Sequence, residues 1–306
     1  MATTAATMSN VLGQMFFLAS SPLVVTTPDR LATLWLLQLV PNVALAACMA
    51  AFLQERPPTA PSSAAAQQWR ERDEAAEKPA SLWCGLDTSA ARKLFSDVSA
   101  LFGSRSFCFL AASFAIATGT VWAVLILEAQ LLLPCGYSNA TAGAAAAALL
   151  GVGVVAAFAF SLVLERTRKY VELQRGVMLA ALIATVATFA SLRPNALLLL
   201  LVSWCLLGAT LQPLMPLSLE HAAEMTFPVD AQASTAALFI AANAFGFVLV
   251  LILGAMLGEP GGAACPAGVT PAAATAVGLM AAGAALTLGV EEDYRRSGAE
   301  AQGLLA

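Results

Sequence analysis

The chain has 306 residues, 59% of them hydrophobic and 11% charged, with a net charge of −4 and a mean hydropathy of +0.78. Soluble domains carry about 25% charged residues, so a water-soluble enzyme, a nucleic-acid binder and a disordered chain are excluded. What remains is an integral membrane protein.

Eight stretches are long and apolar enough to cross a bilayer, at about 8–25, 31–53, 107–133, 142–164, 176–192, 195–219, 234–257 and 271–290. Their apolar runs are continuous, not alternating, which selects helices over strands. The expected fold is therefore all-α, a polytopic bundle of about eight transmembrane helices. The first stretch is the most polar, holding Asn10, Gln14 and Pro22, and no Lys or Arg precedes it as a signal peptide would require.

The second stretch leads into a long connection, 54–106. It opens on Arg56-Pro57-Pro58-Thr59-Ala60-Pro61, a linker composition, and continues into a charged run over 70–78. Leu94, Phe95, Val98, Leu101 and Phe102 then recur at helical spacing. That pattern suits a helix lying at the membrane interface or one coordinating two halves of a transporter.

Glu128 falls about five residues before the end of the third stretch. A carboxylate at mid-bilayer costs roughly 2.5–3.5 kcal/mol on insertion scales. Two readings stand: it binds a cationic substrate or a proton, or it reaches outer water and does nothing specific. Trp122 precedes Gln130 by about two helical turns, so both are expected to face one cavity. Further along, Glu165, Arg166 and Arg168 occupy a tight loop. Glu220 and Glu224 share a face at i,i+4, and His221 sits between them at a helix end, where an interfacial role is expected.

Thirteen of the fifteen Lys and Arg fall in 54–106, 165–175 and the tail, with Arg30 and Arg193 opposite. The positive-inside rule places the long connection and both termini in the cytosol. Cys135 and Cys265 then lie in outer loops, where a disulfide is compatible with the compartment. No nucleophile elbow, zinc-protease motif, phosphate loop or Cys/His metal spacing occurs. Neither catalysis, a metal nor a cofactor is expected.

Several motifs resemble the feline leukaemia virus subgroup C receptor-related branch of the major facilitator superfamily, solute carrier family 49, and most of all its facilitator-domain member. They are Pro216-Leu217-Ser218-Leu219-Glu220-His221-Ala222-Ala223-Glu224-Met225-Thr226-Phe227-Pro228-Val229, Gly136-Tyr137-Ser138 with Ala142-Gly143, Glu165-Arg166-Thr167-Arg168, Asn10-Val11-Leu12-Gly13, and Tyr294-Arg295-Arg296. The resemblance implies that residues 1–53 correspond to family helices five and six. By the same order, 54–106 is a cytoplasmic linker with an amphipathic helix, 107–290 a six-helix C-terminal transporter half, and 291–306 a cytoplasmic tail. The family's first four helices have no counterpart.

It further implies transport of a small organic solute by alternating access, with choline- or ethanolamine-like amines and haem as candidates. Trp122 stands where choline-transporting relatives carry Tyr, and an aromatic face attracts quaternary ammonium groups. Asn243 stands where relatives carry Gln, Asn10 matches a family Asn, and Gln130 is retained, with Ala129 in place of the polar residue that directly precedes it in the family and Glu128 one step further back. Glu165, Arg166, Arg168, Glu220 and Glu224 are the expected cytoplasmic gate, and relatives also carry Cys in the loops of Cys135 and Cys265. The partners expected are the lipid bilayer and a small-molecule substrate. The alternative is a non-transporting protein that associates with itself or binds or regulates a full-length transporter, or an incomplete gene model.

Overall fold

The computed structural model of the chain describes residues 2–25, 27–52, 96, 98–258, 265, 266, 268–293, 295, 297 and 298. Most of the 54–106 connection, with Leu94 and Phe95, lies outside them. Every regular element among the described residues is helical. The helices are α1 (Ala2–Val24), α2 (Leu31–Phe52), α3 (Arg105–Ile126), α4 (Glu128–Leu132), α5 (Asn139–Thr167), α6 (Tyr170–Ser191), α7 (Leu197–Met225), α8 (Ala231–Leu257) and α9 (Pro271–Thr287).

Helix starts follow from capping residues. The Ser104 hydroxyl accepts from the Phe107 N–H, Ser138 from Thr141, Asp230 from Gln232 and Thr270 from Ala273. Each satisfies a backbone donor that the first turn leaves without a partner.

Six helices, α2, α3 and α5 to α8, are long and apolar enough to span a bilayer. The first and last expected spans also form helices. α1 is the more polar, and α9 has 17 residues, about 25 Å at 1.5 Å per residue. The third expected span is not one continuous helix. Leu127 leaves helical geometry (φ −96°, ψ 13°) between α3 and α4. Its N–H still bonds the Ala123 carbonyl and its own carbonyl accepts from Leu131, so the i→i−4 ladder continues across the break.

The bundle packs through small residues. A Cβ on Gly208 of α7 would overlap the Leu149 carbonyl of α5, so these parallel helices cross backbone to backbone. α1 runs antiparallel to α5: Thr4 meets the Ser161 hydroxyl, Met15 meets Gly151, and Leu18 and Pro22 meet Gly143. α9 lies against α3 and α6, and α8 against α3. Trp204, Phe107, Phe114 and Met8 are fully buried within this packing. α2 contributes no buried residue.

Charge sorts the two ends. Arg105 begins α3, Arg166, Arg168 and Lys169 sit where α5 turns into α6, and Glu220 and Glu224 end α7, all at one end. Arg168 makes that turn in the left-handed region, at φ 56°. At the other end a disulfide joins Cys135 to Cys265, with Cα atoms 4.5 Å apart.

Candidate functional site

A cavity of about 320 Å³ opens between α1, α3, α7 and α8. Each helix offers it one face. α1 supplies Thr7, Asn10, Val11 and Gln14, spaced three and four residues apart, so that they project to one side. α3 supplies Thr118, Val121 and Trp122; α7 supplies Leu211, Gln212 and Met215; α8 supplies Phe239 and Asn243.

The lining is rich in hydrogen-bonding groups and, among the described residues, holds no acid or base. Gln14 donates its amide to Asn10 Oδ1 at 2.7 Å. Asn243 donates to the Phe239 carbonyl at 2.7 Å, which orients its side chain and leaves Oδ1 as an acceptor. Gln212 is buried, its stem packed on Gly153 of α5. The Trp122 ring lies on the bare backbone of Gly246, where α3 and α8 cross at Gly119.

Of the residues expected from the sequence to bind substrate, Asn10, Trp122 and Asn243 meet at this cavity. Glu128 and Gln130 do not line it. Gln130 packs toward Gly254 of α8, two turns beyond the Gly246 on which Trp122 rests, so the two face the same helix but only Trp122 reaches the cavity. Glu128 Oε2 and Gln130 Oε1 are buried without a hydrogen-bond partner among the described residues. Thr7, Gln14, Thr118, Gln212, Met215 and Phe239 were not singled out from the sequence. Only Gln14 had a legible signal, one turn after Asn10.

At the charged end, Glu224 is buried and its Oε1 accepts from the Ser297 N–H of the tail at 2.7 Å. Lys169 pairs with Glu172 at 2.8 Å, exposed on both sides. Arg175 donates from Nε to the Thr287 carbonyl and from Nη2 to those of Leu288 and Val290, closing the end of α9. Ser106 accepts from the Glu291 N–H. The interfacial role expected for His221 is corrected. It is fully buried, with Nδ1 3.1 Å from Gln174 Oε1 and its ring stacked on Tyr170 at 5.7 Å. The α6–α7 contact covers it, which no spacing within α7 reveals.

The chain is 27% identical over 251 residues to solute carrier family 49 member A3 of Xenopus tropicalis, covering 81% of this chain and 47% of that protein. The Danio rerio protein of that name is also 27% identical, covering 82% and 49%. The choline/ethanolamine transporter FLVCR2 of Rattus norvegicus is 24% identical, covering 71% and 38%. The chain is thus similar, at 24–27% identity, to proteins named for solute carrier family 49 and to a choline/ethanolamine transporter. No family profile matches it. The chain spans about half the length of the curated relatives it matches. It is an integral, multi-pass membrane protein, and its similar proteins are named as carriers and transporters, not enzymes.

Proposed function

We propose that the protein takes part in alternating-access transport of a small organic amine of the choline or ethanolamine type, bound in the cavity between α1, α3, α7 and α8. The observation that carries this reading is the meeting of Trp122 with Asn10 and Asn243 in one uncharged chamber. A quaternary ammonium group is poorly hydrated and is held by aromatic faces without a counter-ion. Trp122 supplies such a face, and Phe239 lies nearby. The amides of Asn10, Gln14, Gln212 and Asn243 suit the hydroxyl or amine end of the same solute. Haem fits less well: its propionates call for cations, and no Lys, Arg or His among the described residues lines the chamber. The printed name of FLVCR2, a choline/ethanolamine transporter, supports the amine class.

In this reading the charged end faces the cytosol, with both termini, and Glu165, Arg166, Arg168, Glu220 and Glu224 form its gate. Glu128 and Gln130 then belong to the outer end of the path. Residues 107–290 act as one transporter half, with residues 1–53 as part of the other. The experiment is uptake of labelled choline and ethanolamine by cells expressing the protein at confirmed surface level. Uptake above the empty-vector control that falls with Trp122→Ala and Asn243→Ala supports it; uptake equal to control overturns it. The unburied surface of α2 favours a second reading, association with another copy or with a larger transporter. Co-purification of differently tagged copies would favour it.

A further inference from the structure

A second, wider space of about 670 Å³ adjoins the cavity, between α1, α2 and α3. It shares Gln14 and Trp122 with the first. The two follow one another along the bundle. On α1 the lining moves from Thr7 and Asn10 to Ser21; on α3 it moves from Thr118 to Leu125 and Ile126. Both helices run toward the disulfide end, so the second space lies on that side of the first.

The walls of this space have a pattern that lipid contact does not explain. α2 is apolar over most of its length, yet Gln38 and Asn42 lie one turn apart on one face, and that face lines the space. Opposite them α1 presents Gln14 and Ser21, two turns apart. An amide held against hydrocarbon without a partner is costly. Asn42 satisfies one donor on the Gln38 carbonyl at 2.7 Å, and Ser21 donates to Phe17 at 2.6 Å. The amides of both walls retain further donor and acceptor sites. Among the described residues no acid or base lines the space, so an anion or a doubly charged ion would lack a counter-ion there.

We infer that this space is a second binding station for a small neutral or singly cationic organic solute, held by Gln38 and Asn42 of α2 opposite Gln14 and Ser21 of α1, with Trp122 as the wall between the two stations. This rests on the transport reading above and adds a site to it. The second station holds the solute at the outer side, and the Trp122 ring, with Gln14, is what it passes to reach the inner one.

The test is thiol labelling of Asn42→Cys, with Asn243→Cys as its counterpart in the inner cavity. Both are made in a background carrying Cys48→Ala, Cys84→Ala, Cys108→Ala and Cys205→Ala, and labelled with a trimethylammonium methanethiosulfonate in unsealed membranes. The expected result is that Asn42→Cys labels, and that choline at about ten times its Kd slows this about tenfold, because about one site in ten stays free. Labelling that choline slows at Asn243→Cys but not at Asn42→Cys overturns the second station and leaves the transport reading standing. Absence of protection at both positions overturns both. Failure of Asn42→Cys to label, in a variant that labels after denaturation, overturns the second station by itself. Gln38→Leu with Asn42→Leu, which suits lipid and should fold, is expected to raise the KM for choline uptake; unchanged kinetics at equal surface expression overturn the inference.

Discussion

The Trp122 ring rests on Gly246. A Cβ built on Gly246 would stand 3.1 Å from Trp122 Cε3 and 3.3 Å from the Gly119 Cα. Asn243 lies one turn earlier on the same helix, so one crossing of α3 and α8 sets both the aromatic and the amide wall of the cavity. Gly246→Ala is therefore expected to push the indole by a few tenths of an ångström and raise the KM for choline, with surface expression kept. Gly246→Val should abolish uptake. In a Trp122→Ala background Gly246→Ala should add nothing, since residues acting as a unit are not additive; an undiminished effect there would show that Gly246 acts on packing alone.

Trp122 itself should govern affinity. A cation–π contact contributes about 0.5–2 kcal/mol, so Trp122→Ala should weaken choline binding by roughly 2- to 30-fold. Trp122→Phe should retain part of it. Equilibrium binding of labelled choline to purified protein measures this. Equal affinity in all three proteins would remove the residue from the site.

The α5–α7 crossing at Gly208 tolerates no side chain, because a Cβ there would overlap the Leu149 carbonyl. Forcing one in is expected to cost about 1–3 kcal/mol. Gly208→Ala should lower the Tm of the detergent-solubilised protein, and Gly176→Ala, where a Cβ meets open space, serves as the control. Matching Tm values for the two would contradict the close approach.

Arg175 ties α6 to the end of α9 through three carbonyls. Such carbonyls have no intrahelical partner, and the planar guanidinium reaches several at once where an ammonium cannot. Arg175→Ala should speed amide exchange over residues 285–291, and Arg175→Lys should restore little of the protection. Exchange unchanged in Arg175→Ala would mean that water serves these carbonyls equally well.

Much of the bundle was legible because membrane helices are written in local composition. A run such as Leu197–Leu207 needs no partner to be recognised as a span, since lipid imposes the same demand along its whole length. Caps such as Ser138 and Thr270 are equally local. The site was legible only in part. Trp122 was read from its spacing and its family counterpart, while Asn10 and Asn243 came from the resemblance alone. Gln212 and Phe239 do not stand out, because their part in the cavity depends on which face α7 and α8 turn inward.

What the amino-acid sequence determined by itself was the all-helical membrane class, the approximate place of most spans and the clustering of charge at one end, all read from hydropathy and residue type along the chain. Only the tertiary structure decided which polar residues meet. The α6–α7 contact buried His221 on Gln174, and the Gly119–Gly246 crossing brought Asn243 and the indole to one cavity. Rotation of one helix against another is set by small-residue contacts between segments far apart in the chain, and lipid outside the bundle gives no local signal of it.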